Sequence, residues 1–393
     1  MDKKTEVSIV KCKNIDSLGE VKRTLNMSLE LIGGIGTVLR RGDKVIIKPN
    51  LFLPLSYKTG ATTNPLLIEA LIDILRENGI KKIIIGEGSV IGENTERCFK
   101  ECGIEEIAKR KEVELLDFKK DDFIPMSISN GKVFRILKIP KTVAYSDAII
   151  NLPVLKTHDC FPVTLGLKNM KGVIHEKDKA RFHLLDLAQC IVDLNKIVLP
   201  RITIIDGTVG MEGMGPAYGL PANMGIILSS FDTVAADTVG SMVMGIDPMS
   251  VSYIKLAAEQ GLGFSNISDI DILGSKIEEV GRKFKRIFLE DLLYSKEFEK
   301  YSISIIDGGA CSGCKNVMTA IVGGLLSGDK RWRKIENTVF IMGQNVNLKQ
   351  VRDIGRKIVY LGTCTKKIRT EEGNYLPGCP PHILDVMKKF LIT

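Results

Sequence analysis

Aromatic side chains are scarce in this sequence of 393 residues: Phe, Trp and Tyr make up 6%, with a single Trp. They do not alternate with the basic residues, as stacking on bases would require, so the sequence argues against nucleic-acid binding. No apolar run approaches the roughly 18 residues that a membrane helix needs, which predicts no membrane association. The phosphate-binding patterns GxGxxG and GxxxxGK followed by Ser or Thr are also missing, so no nucleotide site is indicated.

The remaining composition is that of an ordinary globular protein, with 44% hydrophobic and 26% charged residues. The first residues, MDKKTEVSIVKC, start charged and run directly into a strand-like segment, so they predict no signal peptide. We therefore expect a cytoplasmic protein. Nine cysteines in a reducing compartment are expected to be ligands or buried thiols rather than disulfides.

Positive charge is concentrated at the C-terminal end. Residues 301–393 hold 14 Lys and Arg against 7 Asp and Glu, which accounts for +7 of the chain's net charge of +8. Around a redox centre, such a surface would speed the encounter with an acidic electron donor such as a ferredoxin or flavodoxin. Two other interpretations stay open: dispersed, solvated lysines, and partial compensation of a negatively charged cluster.

Strand-like and helix-like segments alternate along the chain, which predicts an α/β fold with a largely parallel sheet. The segment DKVIIKPNLF is typical of a buried strand, and NPLLIEALIDILRENGI is typical of a helix with Pro65 in its first turn. A helix interrupted by two glycines is predicted over residues 17–38. A charged stretch around 285–300 separates a larger N-terminal α/β domain (1–298) from a small C-terminal module of three strands (299–393).

Four cysteines in the last quarter of the chain lie in glycine- or proline-rich turns: Cys311, Cys314, Cys364 and Cys379. Two of these turns directly follow strand-like segments, and the carboxyl ends of parallel strands are where such folds present ligands. Glycine next to a cysteine allows backbone N–H groups to approach the sulfur. Four thiolates from three loops predict a [4Fe-4S] cluster. Zinc and ordinary buried thiols are the alternatives, although structural zinc sites usually combine two close cysteine pairs and here one pair is close.

The pattern CSGC, GTC and PGCPP resembles the proximal-cluster site of nickel–iron hydrogenase small subunits and the related cluster subunit of respiratory complex I. This resemblance implies that Cys311, Cys314, Cys364 and Cys379 are the ligands of one [4Fe-4S] cluster. It covers only the C-terminal module, which has no ligand set for further clusters and no catalytic large subunit. A hydrogenase activity therefore does not follow.

The N-terminal part is similar to the domain-of-unknown-function family 362, which often occurs joined to iron–sulfur modules. The segments that carry the similarity are KPNL at 48–51, ATTNP at 61–65, GEGS at 86–89, LPVLKTH at 152–158, GLKNMKGVIH at 166–175 and DGTVGMEGMGP at 206–216. The family name implies no chemistry, so the chemistry has to come from the residues.

Polar residues follow several predicted strands, and we expect them to meet in one crevice at the carboxyl edge of the sheet. The residues expected to bind a ligand there are Lys48, Asn50, Glu87, Lys156, Lys168, Lys171, Asp206 and Glu212. Four lysines facing two or three carboxylates suit an anionic substrate or cofactor that carries carboxylates or phosphates. His158 and His175 are the candidate proton donors, because histidine titrates near neutral pH. In the alternative interpretation each lysine is a solvated surface residue.

Other polar residues are expected to have structural roles. Asp232 and Asp237 are predicted to cap a helix rather than to bind metal. His158, Asp159 and Cys160 are not expected to reach one metal ion, because adjacent strand residues point to opposite faces unless a turn intervenes.

Together these features favour an iron–sulfur redox protein. In this hypothesis a ferredoxin-like donor reduces the cluster, and the N-terminal domain passes the electrons to its bound anion. Two alternatives stay open: a non-enzymatic electron carrier or cofactor-assembly factor, and a non-redox lyase in which one iron acts as a Lewis acid. The lyase would need an open iron site with three cysteines, whereas four are available. The sequence leaves the substrate and the oligomeric state open, a homodimer included.

Overall fold

In the computed structural model the chain forms two compact units. The N-terminal unit combines Met1–Lys179 with Leu185–Lys285, and the C-terminal unit combines Ala180–Leu184 with Arg286–Thr393. The structure describes residues 4–287, 300–326, 330–347, 356–369, 374–381 and 383–390. The predicted domain boundary after residue 298 lies outside the described residues.

The N-terminal unit is built on an 11-stranded sheet and a separate two-stranded ribbon, which is formed by the fifth and sixth strands. Its strands are β1 (Thr5–Lys11), β2 (Lys44–Pro49), β3 (Lys82–Glu87), β4 (Glu114–Asp117), β5 (Phe123–Ser127), β6 (Ile136–Pro140), β7 (Ala148–Leu152), β8 (Val154–Thr157), β9 (Val163–Thr164), β10 (Ile202–Glu212), β11 (Leu220–Ala222), β12 (Ile226–Ser230) and β13 (Ile270–Gly274).

Within the described residues, eleven α-helices begin in the N-terminal unit. They are α1 (Leu18–Leu31), α2 (Pro65–Glu77), α3 (Thr95–Glu101), α4 (Ile104–Arg110), α5 (Lys141–Ala144), α6 (Gly166–Asn169), α7 (Glu176–Leu184), α8 (Leu187–Asn195), α9 (Thr233–Val243), α10 (Ser252–Glu259) and α11 (Ile277–Val280). None of the helices in the described part of the chain combines the length and apolarity required to cross a membrane.

The main path of the large sheet runs β13-β1-β12-β10-β7-β2-β3-β4. From β10 to β4 every neighbouring pair is parallel, whereas β12 runs antiparallel to both of its neighbours. The prediction of an α/β fold with a largely parallel sheet is therefore confirmed.

Apolar strands and amphipathic helices form two core clusters. One packs β2 and β3 against α1, α2 and α4, and the other packs β1 and β12 against α8, α9 and α10. Strand β2 illustrates the pattern, since Val45, Ile46 and Ile47 are all completely buried. Parallel strands read as continuous apolar runs because both of their faces are covered.

Local signals explain where two of the helices begin and end. The side chain of Asn64 accepts a hydrogen bond from the Leu66 N–H, and Pro65 stands in the first turn of α2, as predicted. Helix α1 ends at Leu31, earlier than the predicted residue 38, because Gly33 and Gly34 adopt φ angles of 97° and 78°. Such positive φ values are incompatible with a continuing right-handed helix.

The C-terminal unit contains a four-stranded parallel sheet in the order β14-β15-β16-β17. Its described elements are β14 (Ser304–Gly308), α12 (Ser312–Leu326), β15 (Thr338–Gly343), β16 (Lys357–Leu361), β17 (Asn374–Leu376) and α13 (Ile383–Phe390). The prediction of three strands was wrong. Strand β17 is three residues long, too short to show a periodic pattern, and is defined by its pairing with β16.

Candidate functional site

A buried ion pair joins the ends of two neighbouring parallel strands. Lys48, near the end of β2, is 1% exposed, and Glu87, the last residue of β3, is 2% exposed. The Lys48 ammonium lies 2.8 Å from both carboxylate oxygens of Glu87. Glu87 also accepts hydrogen bonds from the backbone N–H groups of Leu51 and Gly88. The two buried charges therefore compensate each other, as burial in a low-dielectric interior requires.

Asn169 connects this ion pair to the neighbouring strands. Its side-chain oxygen accepts hydrogen bonds from Asn50 Nδ2 at 2.7 Å and from Lys48 Nζ at 3.4 Å. Its amide nitrogen donates to Asn151 Oδ1 at 2.7 Å. Asn151 and Asn169 were not predicted as site residues, although an asparagine inside the apolar strand AIINL was an available signal. Lys48 and Asn50 therefore both make hydrogen bonds to other side chains of the protein.

Lys156, on β8, is 1% exposed and has no carboxylate partner within the described residues. Its ammonium donates to Asn50 Oδ1 at 2.7 Å and to the Ala61 carbonyl at 2.6 Å, and it lies 4.2 Å from the centre of the Phe52 ring. Burial, together with the positive charge of Lys168, holds the pKa of Lys156 well below its ordinary value. This side chain is a buried cation that is hydrogen-bonded but not neutralised.

Lys168 and Lys171 lie one turn apart where α6 leads into the following 3₁₀ turn, and both keep part of their surface accessible. Burial lowers the pKa of Lys168 to about 8, against the opposing charges of Cys160 and Asp159. Burial and the charge of Lys168 lower the pKa of Lys171 to about 7. Lys168 makes no hydrogen bond or ion pair in the part of the chain that the structure describes. These are the accessible members of the predicted set of lysines.

The buried carboxylate of Asp237 positions the turn that carries Lys168. It accepts hydrogen bonds from the backbone N–H groups of Gly166 at 2.6 Å and Leu167 at 3.0 Å. Asp237 lies in the middle of α9, so it caps the neighbouring helix α6 rather than its own helix. Asp232 caps α9 itself, as predicted. Burial raises the pKa of Asp237 to about 8.

His158, Asp159 and Cys160 form a compact group directly after β8, with ligand atoms that all lie within 4.8 Å of one another. They were expected to reach one ion only if a turn intervened, and this condition is met, because β8 ends at Thr157 and a bend follows. Such a group is able to hold a metal ion. His158 Nδ1 lies 2.5 Å from Asp159 Oδ1, and the Cys160 N–H points to both atoms at 2.9 and 2.8 Å.

The imidazole of His158 is uncharged near neutral pH. Burial, with the charges of Lys168 and Lys171, lowers its pKa to about 4, although the nearby Asp159 carboxylate opposes this effect. The same surroundings raise the pKa of the Cys160 thiol to about 12, mainly through burial and the charge of Asp159. An electrostatic interaction that shifts a pKa links each of six groups to at least one of the others, and we refer to them as the lysine cluster: Lys156, Lys168, Lys171, His158, Asp159 and Cys160.

Three predicted site residues have other partners. The buried carboxylate of Asp206 accepts hydrogen bonds from the N–H of Asn64, the residue that caps α2, at 2.7 Å and from Thr208, which lies with it on β10. Glu212 accepts from Arg282 at 3.1 Å and from the Lys285 N–H at 2.9 Å. His175 precedes α7: its Nδ1 accepts from the backbone of that helix at 3.1 Å, and its ring lies edge-on to Phe123. Among the described residues, none of these three side chains makes a hydrogen bond or ion pair with the lysine cluster.

Lys179, on α7, was missed in the sequence analysis. It is 5% exposed, and its ammonium donates to the carbonyls of Gly88 and Ser89 at 2.7 and 2.9 Å. Burial lowers its pKa to about 7. Its position in a strongly charged helix (EKDKARFHL) gave the appearance of a solvated residue, so no sequence signal marked it as buried.

In the C-terminal unit, Cys311 and Cys314 stand at the start of α12. The pKa of Cys311 is lowered to about 5. The largest cause is a hydrogen bond from the Cys314 thiol, and hydrogen bonds from backbone N–H groups, including that of Gly313, have smaller effects. Cys311 is thus a thiolate near neutral pH. Close by, His183 Nδ1 lies 2.7 Å from the hydroxyl of Ser312, a contact that the sequence analysis missed.

Cys364 and Cys379 lie in the same region as the first two cysteines. The charges of both raise the pKa of Cys314. The pKa of Cys379 is raised mainly by burial and, to a smaller extent, by the charges of Cys311 and Cys364. Gly362, with φ at 87°, allows close approach: a Cβ there would lie 3.0 Å from Cys314 Sγ and 3.4 Å from Cys364 Sγ. The four predicted cysteines are therefore linked to one another by their effects on pKa.

Comparison with known proteins gives the family of the chain. The lactate racemase apoprotein from Thermoanaerobacterium thermosaccharolyticum aligns with a TM-score of 0.41 and 11% identity, over 99% of this chain and 90% of that chain, a similarity too small to establish a shared fold. The thylakoid-associated protein sll1697 of Synechocystis sp. is 27% identical over 270 residues, which is 66% of this chain and 80% of that protein. The model of the family described as domain of unknown function (DUF362) matches residues 45–242. The chain therefore belongs to the DUF362 family.

Proposed function

We propose that this protein binds an anionic small molecule at the lysine cluster and serves a redox reaction, with a [4Fe-4S] cluster held by the four predicted cysteines. The observation that carries the proposal is the excess of positive charge at the lysine cluster. Among the described residues, the buried ammonium of Lys156 donates only to uncharged oxygens, and Lys168 makes no hydrogen bond or ion pair. Buried cations without counter-charges are unfavourable, so an anionic ligand would stabilise this arrangement.

The pKa values assign the proton chemistry within this proposal. His158, with a pKa of about 4, is a neutral imidazole at pH 7 and is suited to accept a proton or to donate a neutral N–H hydrogen bond. Lys168 and Lys171, with pKa values of about 8 and 7, can donate protons near neutral pH. The role of proton donor, predicted for His158, is therefore proposed for these lysines instead.

Asp159 has a positioning role in this proposal. His158 Nδ1 and Asp159 Oδ1 lie 2.5 Å apart, a separation that requires a proton between them. With that proton on Nδ1, the Cys160 N–H donates to Asp159 Oδ1, and the lone pair of Nε2 is the one available for chemistry. A carboxylate that orients an imidazole in this way is a recurring feature of acid–base sites.

The chemistry of the four cysteines fits an iron–sulfur cluster. Cys311 is a thiolate near neutral pH, surrounded by N–H donors, and thiolates are the form in which cysteine binds metal. Cys314, Cys364 and Cys379 would be the other ligands. When bound, such a cluster supplies single electrons. A ferredoxin-like donor is the proposed source of those electrons, in line with the net charge of +7 over residues 301–393.

Metal and sulfide analysis tests the cluster. Protein purified anaerobically is expected to be brown, with about four irons and four sulfides per chain. Cys314→Ser should abolish the colour, whereas Cys98→Ser, at a buried cysteine of the N-terminal unit, should retain it. Colourless protein carrying one zinc per chain would refute the redox proposal and leave the anion site to be tested separately.

A further inference from the structure

The loop that follows β15 lies between two loops that carry predicted cluster cysteines. In the sheet order β14-β15-β16-β17 every neighbouring pair is parallel, so the loops at the carboxyl ends of the strands share one edge. The loops after β14, β16 and β17 contain the cysteines, whereas the loop after β15 continues as Gln344 and Asn345. Because β15 is flanked by β14 and β16, a group held by cysteines of both neighbouring loops lies next to the end of β15.

The loop after β15 packs directly against the turn that leads to Cys311. The Asn345 N–H donates to the Gly308 carbonyl at 2.9 Å. A Cβ at Gly343, where φ is 93°, would lie 2.5 Å from the carbonyl carbon of Gly308, so this close approach requires glycine. A Cβ at Gly309 would lie 3.9 Å from Asn345 Nδ2. The side-chain amide therefore stands beside the residue two positions before Cys311.

The amide of Asn345 is available as a hydrogen-bond donor. The side chain is exposed and makes no hydrogen bond to any of the residues that the structure describes. Three hydroxyl groups of the cysteine loops are engaged instead. Those of Thr363 and Thr365 donate to backbone carbonyls at 3.1 and 2.8 Å, and that of Ser312 lies 2.7 Å from His183 Nδ1. Asn345 thus offers N–H groups at this edge of the sheet that the protein itself does not use.

We propose that the Asn345 amide donates a hydrogen bond to a sulfur of the [4Fe-4S] cluster and raises its reduction potential. The inference rests on the proposed function and identifies a residue that tunes it. The reduced form carries one more negative charge than the oxidised form, so a donor to sulfur stabilises the reduced form more. Asn345 therefore sets how readily the cluster accepts an electron, without being one of its ligands.

Potentiometric titration of the anaerobically purified protein tests the inference. Dithionite supplies the single electron through redox mediators, and electron paramagnetic resonance of the reduced cluster gives the midpoint potential. Asn345→Leu removes the donor at similar size and should lower the equilibrium constant for reduction about threefold to tenfold, where tenfold corresponds to about 59 mV for one electron. Asn345→Gln keeps an amide donor and should lower this constant less than Asn345→Leu does.

The matched control is Asn374→Leu, which makes the same replacement at the other end of a strand of this sheet. Asn374 is exposed and is the first residue of β17, whereas the cysteine loops follow the last residues of the strands. This variant should leave the potential unchanged. Iron and sulfide analysis shows which variants retain the cluster. If Asn345→Leu does not retain it, Asn345→Ala removes the same donor with a smaller side chain.

The outcomes separate this inference from the proposed function. An unchanged or higher potential in Asn345→Leu, or a shift that Asn345→Gln or Asn374→Leu equals, would overturn the inference and leave the cluster. Loss of the cluster from both Asn345→Leu and Asn345→Ala would show a structural role for Asn345 and overturn the inference as well. Absence of iron and sulfide from the unsubstituted protein would refute the proposed cluster, and the inference with it.

Discussion

The carboxylate of Asp237 accepts a hydrogen bond from the backbone N–H of Gly166 at 2.6 Å and thereby sets the position of the turn that carries Lys168. The two elements are in close contact, since a Cβ at Gly166 would lie 2.8 Å from the same carboxylate oxygen. A buried acidic group thus supports, from the opposite side of the turn, a cation that is proposed to bind the ligand.

Above pH 8, where Asp237 is ionised, Asp237→Asn should destabilise this turn, because the amide would place a donor against one of two backbone N–H groups. We expect the free energy of unfolding to fall by about 1–3 kcal/mol, the cost of an unsatisfied buried polar group. Sulfate or succinate binding should weaken as well. Asp247→Asn, at an exposed cap that accepts from the Met249 N–H, is the control and should be nearly neutral. Equal stability of the two variants in urea titrations would contradict this role of Asp237.

Breaking the Lys48–Glu87 ion pair should be costly because it leaves a buried charge without a partner. Lys48→Met or Glu87→Gln alone should each destabilise the protein by about 3–5 kcal/mol. The double variant should lose clearly less than the sum of the two, since it leaves no unpaired charge. Denaturant unfolding of the four proteins completes the cycle, and additive losses would show that the two groups do not interact.

Close packing over this ion pair predicts a position-dependent effect of adding a methyl group. A Cβ at Gly172 would lie 2.3 Å from Glu87 Oε1 and 2.7 Å from Lys48 Nζ. Gly172→Ala should therefore destabilise the protein by about 1–3 kcal/mol, as overpacking does. Gly36→Ala, where a Cβ meets nothing within 4 Å, is the matched control for thermal unfolding. Similar melting temperatures for the two variants would show that the turn at Gly172 moves freely.

The buried neutral imidazole of His158 should make folding sensitive to acid. Its pKa is about 4 in the folded protein against an ordinary value of 6.5, so the unfolded chain binds more protons between these values. Stability should therefore fall as the pH decreases from 6.5 to 4, and His158→Gln should show a smaller fall. Urea unfolding at several pH values measures the difference, and parallel profiles of the two proteins would exclude His158 as a source of acid sensitivity.

The basic C-terminal region predicts salt-sensitive electron transfer from an acidic donor. With residues 301–393 at +7, the rate of reduction by a ferredoxin should decrease several-fold between low salt and about 0.5 M salt, because screening shortens the range of attraction. Stopped-flow absorbance of the proposed cluster follows the rate. A neutral one-electron reductant serves as control, and an equal salt effect on both reductants would rule out electrostatic docking.

Much of the fold was predictable because it depends on local patterns. The apolar run at 44–49 and the Asn64–Pro65 helix start are visible in the sequence, and both elements form where expected. Strand β17 was not predictable, since three residues carry no periodic signal and only the neighbouring strand defines it. The bend after Thr157, which brings His158, Asp159 and Cys160 together, was also not predicted, because no periodic signal in the sequence marks it.

The sequence by itself determined the residue types that reach the carboxyl ends of the strands: lysines in the first unit and cysteines in turns of the second. Only the tertiary structure decided which charges remained unbalanced. Lys48 is neutralised by Glu87, 39 positions away, whereas Lys156 and Lys168 have no such carboxylate among the described residues. An ion pair depends on a few ångströms between side chains far apart in the chain, and spacing along the sequence does not encode that distance.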